Sequence, residues 1–121
     1  MPTILIVDDE AANRELLRVV LTHAGYDVIA ASNGSDGFDM LVEQRPHLVI
    51  VDLYMPEMSG TEFIKSVRKH AQVCETRIAL YTGSQADRAM HDFMEMMRVR
   101  HIIPKPAEPQ EIMLAVEEAL R

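Results

Sequence analysis

Residues 48–52 read Leu48-Val49-Ile50-Val51-Asp52, four branched apolar residues closed by a carboxylate. The run has no polar position at either phase of a two-residue alternation. It fits a strand covered on both faces, the central strand of a parallel sheet. Outward from it, three further runs share the form. Residues 4–7 (ILIV) end in Asp8-Asp9, residues 78–81 (IALY) end in Thr82, and His101-Ile102-Ile103-Pro104 ends in Lys105. A fifth short run lies near residues 28–30.

The segments between these runs change period. Leu16, Leu17, Val20 and Leu21 recur at helical steps, and Gly25 follows as a stop. Residues 35–44 put Phe38, Leu41 and Val42 on one face before Pro46 breaks the pattern. Residues 61–70 do the same with Phe63, Ile64 and Val67. Residues 85–97 and 109–120 complete the set. The first of these offers Met90, Phe93 and Met97 to a core, with Met94 half-buried and Met96 outward. The second offers Ile112, Met113 or Leu114, Val116 and Leu120. Strands alternating with such helices imply βαβ units with right-handed crossovers. The expected fold is α/β, a doubly wound three-layer (βα)5 sandwich on a five-stranded parallel sheet. Residues 1–121 read as one domain, either free-standing or the N-terminal part of a longer protein.

Composition sets further bounds. A chain of 121 residues, 48% hydrophobic and 26% charged, can bury roughly two-thirds of its unfolded surface without a disulfide or structural metal. One cysteine, Cys74, allows no intramolecular disulfide. Met1-Pro2-Thr3 leads straight into a strand-like run, and no apolar stretch nears the ~20 residues of a membrane span. A cytoplasmic location without membrane insertion is expected. A net charge of -7 argues against direct binding of nucleic acid and favours a metal ion or a partner with a basic surface.

If the runs are parallel strands, Asp8, Asp9, Asp52, Thr82 and Lys105 emerge at one edge, where open α/β sheets bind ligands. Carboxylates at the start of a helix also serve as caps. Two of them facing Asp52 raise a cost, since like charges ~4 Å apart repel by about 4 kcal/mol at an effective dielectric of 20. A bound Mg²⁺, which takes oxygen ligands, removes that cost. On the local pattern, capping and metal binding both stand.

Taken in order, Asp8-Asp9-Glu10, Asp52-Leu53-Tyr54-Met55-Pro56-Glu57-Met58-Ser59-Gly60, Tyr81-Thr82-Gly83 and Lys105-Pro106 resemble the receiver domain of two-component response regulators, over essentially the whole chain. The resemblance implies a flavodoxin-like strand order 2-1-3-4-5. It implies that Asp52 accepts a phosphoryl group from a phosphohistidine on a partner histidine kinase or phosphotransfer protein. It makes Thr82 and Lys105 the groups that contact the phosphoryl oxygens. Mg²⁺ would be the cofactor, held by Asp8, Asp9, Asp52 and the backbone carbonyl of Tyr54. The Lys105–Pro106 bond would be cis. Output would pass through the face of the fourth helix, fifth strand and fifth helix, to an effector domain or a second copy. Such a module is no enzyme beyond assisting its own phosphorylation and dephosphorylation.

The chain departs from the family's pattern on that output side. Ile102 stands where an aromatic is usual, and Gly83 and Ala107 replace commoner residues. No glycine interrupts Met97-Arg98-Val99-Arg100 before the last strand. Arg98 and Arg100 fit either a solvated loop or contacts with a partner's acids. Tyr54 and Ser84 hold the two variable positions beside the phosphorylation site; a bulky Tyr54 would slow water's access. The histidines share no metal-ligand spacing and read as surface residues, apart from His101. Three other readings compete: a receiver module of a hybrid sensor kinase or multidomain regulator, an aspartate-nucleophile phosphatase, and a pseudo-receiver scaffold that is never phosphorylated. The phosphatase would want Asp-x-Asp after the first strand, where this chain has Asp8-Asp9-Glu10.

Overall fold

The computed structural model describes residues 1–83 and 86–121. Strands and helices alternate along it: β1 (Thr3–Val7), α1 (Ala11–His23), β2 (Asp27–Ala31), α2 (Gly34–Gln44), β3 (Leu48–Asp52), α3 (Gly60–Lys69), β4 (Arg77–Thr82), α4 (Arg88–Met96), β5 (His101–Pro104) and α5 (Pro109–Ala119). The strands form one sheet in the order β2-β1-β3-β4-β5, and every pairing is parallel. The expected fold and strand order are both found. Ser84 and the expected start of the fourth helix at residue 85 lie outside the described residues.

The pleat sorts the apolar residues onto two faces. Leu5, Val7, Val49, Val51, Ile78 and Leu80 pack with α2, α3 and α4. Ile4, Ile6, Leu48, Ile50, Tyr81 and Ile103 pack with α1 and α5. All five residues of β3 are buried, as a strand covered on both sides requires. Burying each of these branched side chains contributes about 1.5–3 kcal/mol. Helices on both faces put a crevice where the chain reverses direction across the sheet, between β1 and β3.

Helix ends follow local chemistry. Gly25, with φ of 98°, stops α1 as expected. Ser59 and Glu62 form a capping box on α3, and Asn33 and Asp87 cap α2 and α4. Two inward assignments need correction. Leu16 is exposed, because the buried stripe of α1 runs through Leu17, Val20 and Leu21. In α4 the buried residue is Met94, whereas Met90, Phe93 and Met97 are only half-buried. The cause lies at the helix end. Arg98 takes φ of 58°, and the Val99 amide donates to the Met94 carbonyl at 2.8 Å. This six-residue closure draws the side chains of Met94 and Val99 into the same cluster. In α5, Met113 is half-buried and Leu114 is exposed.

Arg68 replaces what a glycine loop would leave open. Its guanidinium donates to the carbonyls of Met97 at 2.6 Å, Thr76 at 2.6 Å, Cys74 at 3.0 Å and Arg98 at 3.3 Å. One side chain thereby ties α3 to the turn before β4 and to the end of α4. Gly60 fixes the other end of α3. Its amide donates to the Leu53 carbonyl at 2.9 Å, and an added Cβ would collide with the Asp52 carbonyl oxygen. Gly60→Ala should therefore cost about 1–3 kcal/mol of stability, read as a lower urea midpoint; an unchanged midpoint would refute the close approach. Arg68→Ala, which leaves several carbonyls without a donor, should cost about 1–3 kcal/mol in the same assay.

Candidate functional site

The carboxyl ends of the strands supply the site. Asp8 and Asp9 follow β1, Asp52 closes β3, Thr82 closes β4, and Lys105 follows β5. The structure brings these five expected residues to the same edge of the sheet. Asp8, Asp52 and Thr82 are buried there, while Asp9 is exposed. One carboxylate oxygen from each of Asp8, Asp9 and Asp52 lies within 4.8 Å of the others.

A lysine bridges the two buried acids. Lys105 Nζ stands 3.1 Å from Asp52 Oδ1 and 3.3 Å from Asp8 Oδ2. The Lys105–Pro106 peptide is cis, and the Lys105 amide donates to the Thr82 carbonyl at 3.0 Å. That bond joins the ends of β4 and β5, so the lysine leaves the sheet beside Thr82. Burial alone would lower the pKa of Lys105. The hydrogen bond that Lys105 donates to Asp52 and the charges of Asp8 and Asp52 outweigh it and hold the ammonium above its usual value.

Asp52 shows the opposite balance. Burial pushes its carboxyl above the ordinary range; the Lys105 hydrogen bond pulls it down, and the Asp8 charge pushes it up again. The Tyr54 amide also bonds this carboxylate. The Tyr54 ring itself is 66% exposed, so it borders the pocket from the solvent side. A hollow of about 60 Å³ next to it is lined by Leu53, Tyr54, Thr82, Met90 and Ile102. The half-buried Ile102 thus reaches the neighbourhood of Thr82 from β5.

Several contributors escaped the reading of the sequence. The Glu10 amide donates to Asp8 Oδ1 at 2.9 Å, and Arg14 Nη1 donates to the Asp8 carbonyl at 2.8 Å. Asn13 reaches the same carboxylate at 3.5 Å. The first turn of α1 therefore orients Asp8, a role visible only as polar residues one turn after the acid pair. Tyr81 is the second. Its ring lies 4.7 Å from Lys105 Nζ, a cation–π distance that fixes the ammonium from the α5 side. Its place in an apolar run hid it among core residues.

Comparison with known proteins agrees with this arrangement. The sequence pattern of the response regulator receiver domain matches residues 4–117. The probable chemotaxis protein CheY of Rhizobium etli is 32% identical over 115 residues, covering 94% of this chain and 88% of that protein. The transcriptional regulatory protein SrrA of Staphylococcus aureus is 32% identical over 118 residues, covering 98% of this chain but only 47% of that protein. The solved chemotaxis protein CheY4 of Vibrio cholerae superposes with a TM-score of 0.93 at 28% identity, over 99% of both chains.

The charge balance makes a pH prediction. A carboxyl whose pKa is raised by folding binds its proton more tightly in the folded state, so ionising it costs stability. The cost is absent below the ordinary value of 3.8, grows as pH rises past it, and reaches its full size above the raised value. Asp52→Asn should therefore be more stable than the wild type above the raised value without divalent ions, because the net shift already includes the Lys105 attraction. The gap should close as pH falls towards the ordinary carboxylate range. Denaturation at several pH values in a chelator checks this; a variant less stable at neutral pH would overturn the assignment.

Proposed function

The chain belongs to the response regulator receiver domain family, and on that premise we propose that it takes a phosphoryl group onto Asp52 from a histidine kinase or phosphotransfer protein. The observation that carries the reading is a buried carboxylate with an ammonium at 3.1 Å and two further acids converging on it. A purely structural role would not need three acids and one lysine at a strand edge.

The donor set suits a hard divalent ion. Three carboxylate oxygens within 4.8 Å of one another carry more negative charge than Lys105 alone offsets, and Mg²⁺ takes oxygen ligands. Asp8, Asp9, Asp52 and the Tyr54 carbonyl would hold it, and when bound it would neutralise charge on the phosphoryl oxygens. The chain's own residues do the rest. A carboxylate oxygen of Asp52 attacks phosphorus in line, the bond to the donor nitrogen breaks, and that nitrogen keeps the electron pair. Lys105 offsets the charge that accumulates on the phosphoryl oxygens, and the Thr82 hydroxyl donates to one of them. Burial keeps water from competing for the phosphorus. The product is an acyl phosphate, which hydrolyses readily and so makes a temporary mark.

The mark would be read on the α4–β5–α5 face, by an effector domain, a partner protein or a second copy. Ile102 offers no ring or hydroxyl for the aromatic rearrangement of the family, so coupling would run through packing of Ile102 and Met90 around the hollow beside Thr82. A module within a longer regulator is the second reading, favoured by the match to just under half of SrrA.

Incubation with Mg²⁺ and acetyl phosphate, followed by intact-mass measurement, tests the proposal. One added phosphate should appear, vanish in Asp52→Asn, and fail to form when a chelator removes the metal. Lys105→Ala should slow its formation by about a hundredfold, the usual loss for one charge-stabilising group. A wild-type protein that gains no mass under these conditions would defeat the reading. Tyr54→Ala should hydrolyse its acyl phosphate faster than the wild type; equal rates would remove the shielding role of the ring.

A further inference from the structure

The sheet edge opposite Asp52 carries the reverse charge. Arg77 opens β4, and Arg100 immediately precedes β5. His101 pairs with Ala79, which sets Arg100 beside Ile78 on the neighbouring strand, about 4.8 Å away. Two shallow depressions meet there and share Arg77, Arg98 and Arg100. The first, of about 130 Å³, adds His101, Glu118 and Arg121. The second, of about 110 Å³, adds Arg68, Glu75 and Thr76. Five guanidiniums thus line a surface with two acids, and Glu117 pairs with one of them, which leaves a local excess of two positive charges on a chain whose net charge is -7.

Not all five are occupied internally. Arg68 is spent on backbone carbonyls, Arg121 pairs with Glu117 at 3.6 Å, and Arg98 reaches the Cys74 carbonyl at 3.0 Å and Glu75 at 3.7 Å. Arg77 and Arg100 are exposed, and neither makes a side-chain hydrogen bond or ion pair among the described residues. The neighbourhood is also electrostatically tight. Burial, and then the charge of Arg98, lower the pKa of Arg68, so an arriving anion relieves a repulsion already present. Arg98 holds a left-handed φ of 58° that glycine would adopt at no steric cost.

We propose that Arg77 and Arg100, flanked by Arg98, form a docking surface for an extended acidic segment of a partner protein. Guanidinium forks match carboxylates bidentately. An extended peptide repeats side chains on one face every ~6.6–7 Å, so more than one acid of such a segment can face this arginine-lined surface. Nucleic acid is the poorer occupant, because a long polyanion would meet the chain's overall negative field beyond this small patch. The surface lies one strand length, ~16 Å, from the Asp52 pocket, so a segment docked here leaves that pocket open. The proposal is independent of the phosphoryl reading.

A fluorescently labelled peptide of alternating glutamate and serine, titrated with the full chain and followed by anisotropy, tests it. Binding should weaken steeply with added salt. The double variant Arg77→Gln/Arg100→Gln should lose at least about tenfold in affinity, with an unchanged unfolding midpoint and an unchanged mass gain at Asp52. Lysine at both positions should recover only part of the affinity, because the fork is absent. An undiminished affinity in the glutamine variant, or no binding by the wild type at low salt, would overturn the proposal. Tighter binding of a short DNA duplex than of the peptide would overturn it too. So would salt-sensitive self-association of the chain alone that the glutamine variant abolishes, which would give the surface to a second copy.

Discussion

The constraint on which this domain turns is the closeness of Asp8 and Asp52, two buried carboxylates held at the ends of adjacent parallel strands. Buried like charges cost free energy, and among the described residues the ammonium of Lys105 is the opposite charge that folding sets between them. Everything near the crevice serves that geometry. The β4–β5 link through the Lys105 amide sets where the lysine leaves the sheet. Tyr81 backs its head group. Gly60 lets α3 start directly against the carbonyl of Asp52. One cation against three acids leaves the pocket short of positive charge. That deficit is what a divalent ion would relieve, and an acyl phosphate on Asp52, with more negative charge than the carboxylate it replaces, would deepen it.

The fold and most of the site were legible because parallel sheets leave a coarse signature. LVIV at 48–51 can only be covered on both faces, and each neighbouring run ends in the residue that the sheet then delivers to one edge. Position along a strand translates directly into position in space, so five scattered residues could be placed together from spacing alone. The cis peptide and the strand order came instead from resemblance, and both are present.

What stayed hidden depends on side-chain geometry rather than period. Tyr81 reads as core by alternation and is core, yet its ring also contacts Lys105. Arg68 sits on a helix whose apolar face is plain, and nothing in its spacing says that it gathers four carbonyls. The Met-rich fourth helix was misread because a stripe at i, i+3 and i+7 assumes a straight helix lying on the sheet. The closure through Arg98 and Val99 instead pulls Met94 inward, and it does so with arginine in a conformation that sequence rules reserve for glycine.

These features give α4 an uneven hold. Its C-terminal end is fixed by Met94, by the Val99 amide and by Arg68, which bonds the carbonyls of Met97 and Arg98. Its N-terminal end has an Asp87 cap and the half-buried Met90, and Met94 is its sole buried residue, against three in α1 and four in α3. An element with little buried apolar area is the one whose local opening costs least. Met90 lines the same hollow as Thr82 and Ile102, so a shift of Thr82 towards a phosphoryl group would act on the loose end of the helix while the pinned end serves as pivot. Under the phosphoryl proposal, Ile102 filling or vacating the small hollow beside Thr82 would be felt at the weakly held end of α4.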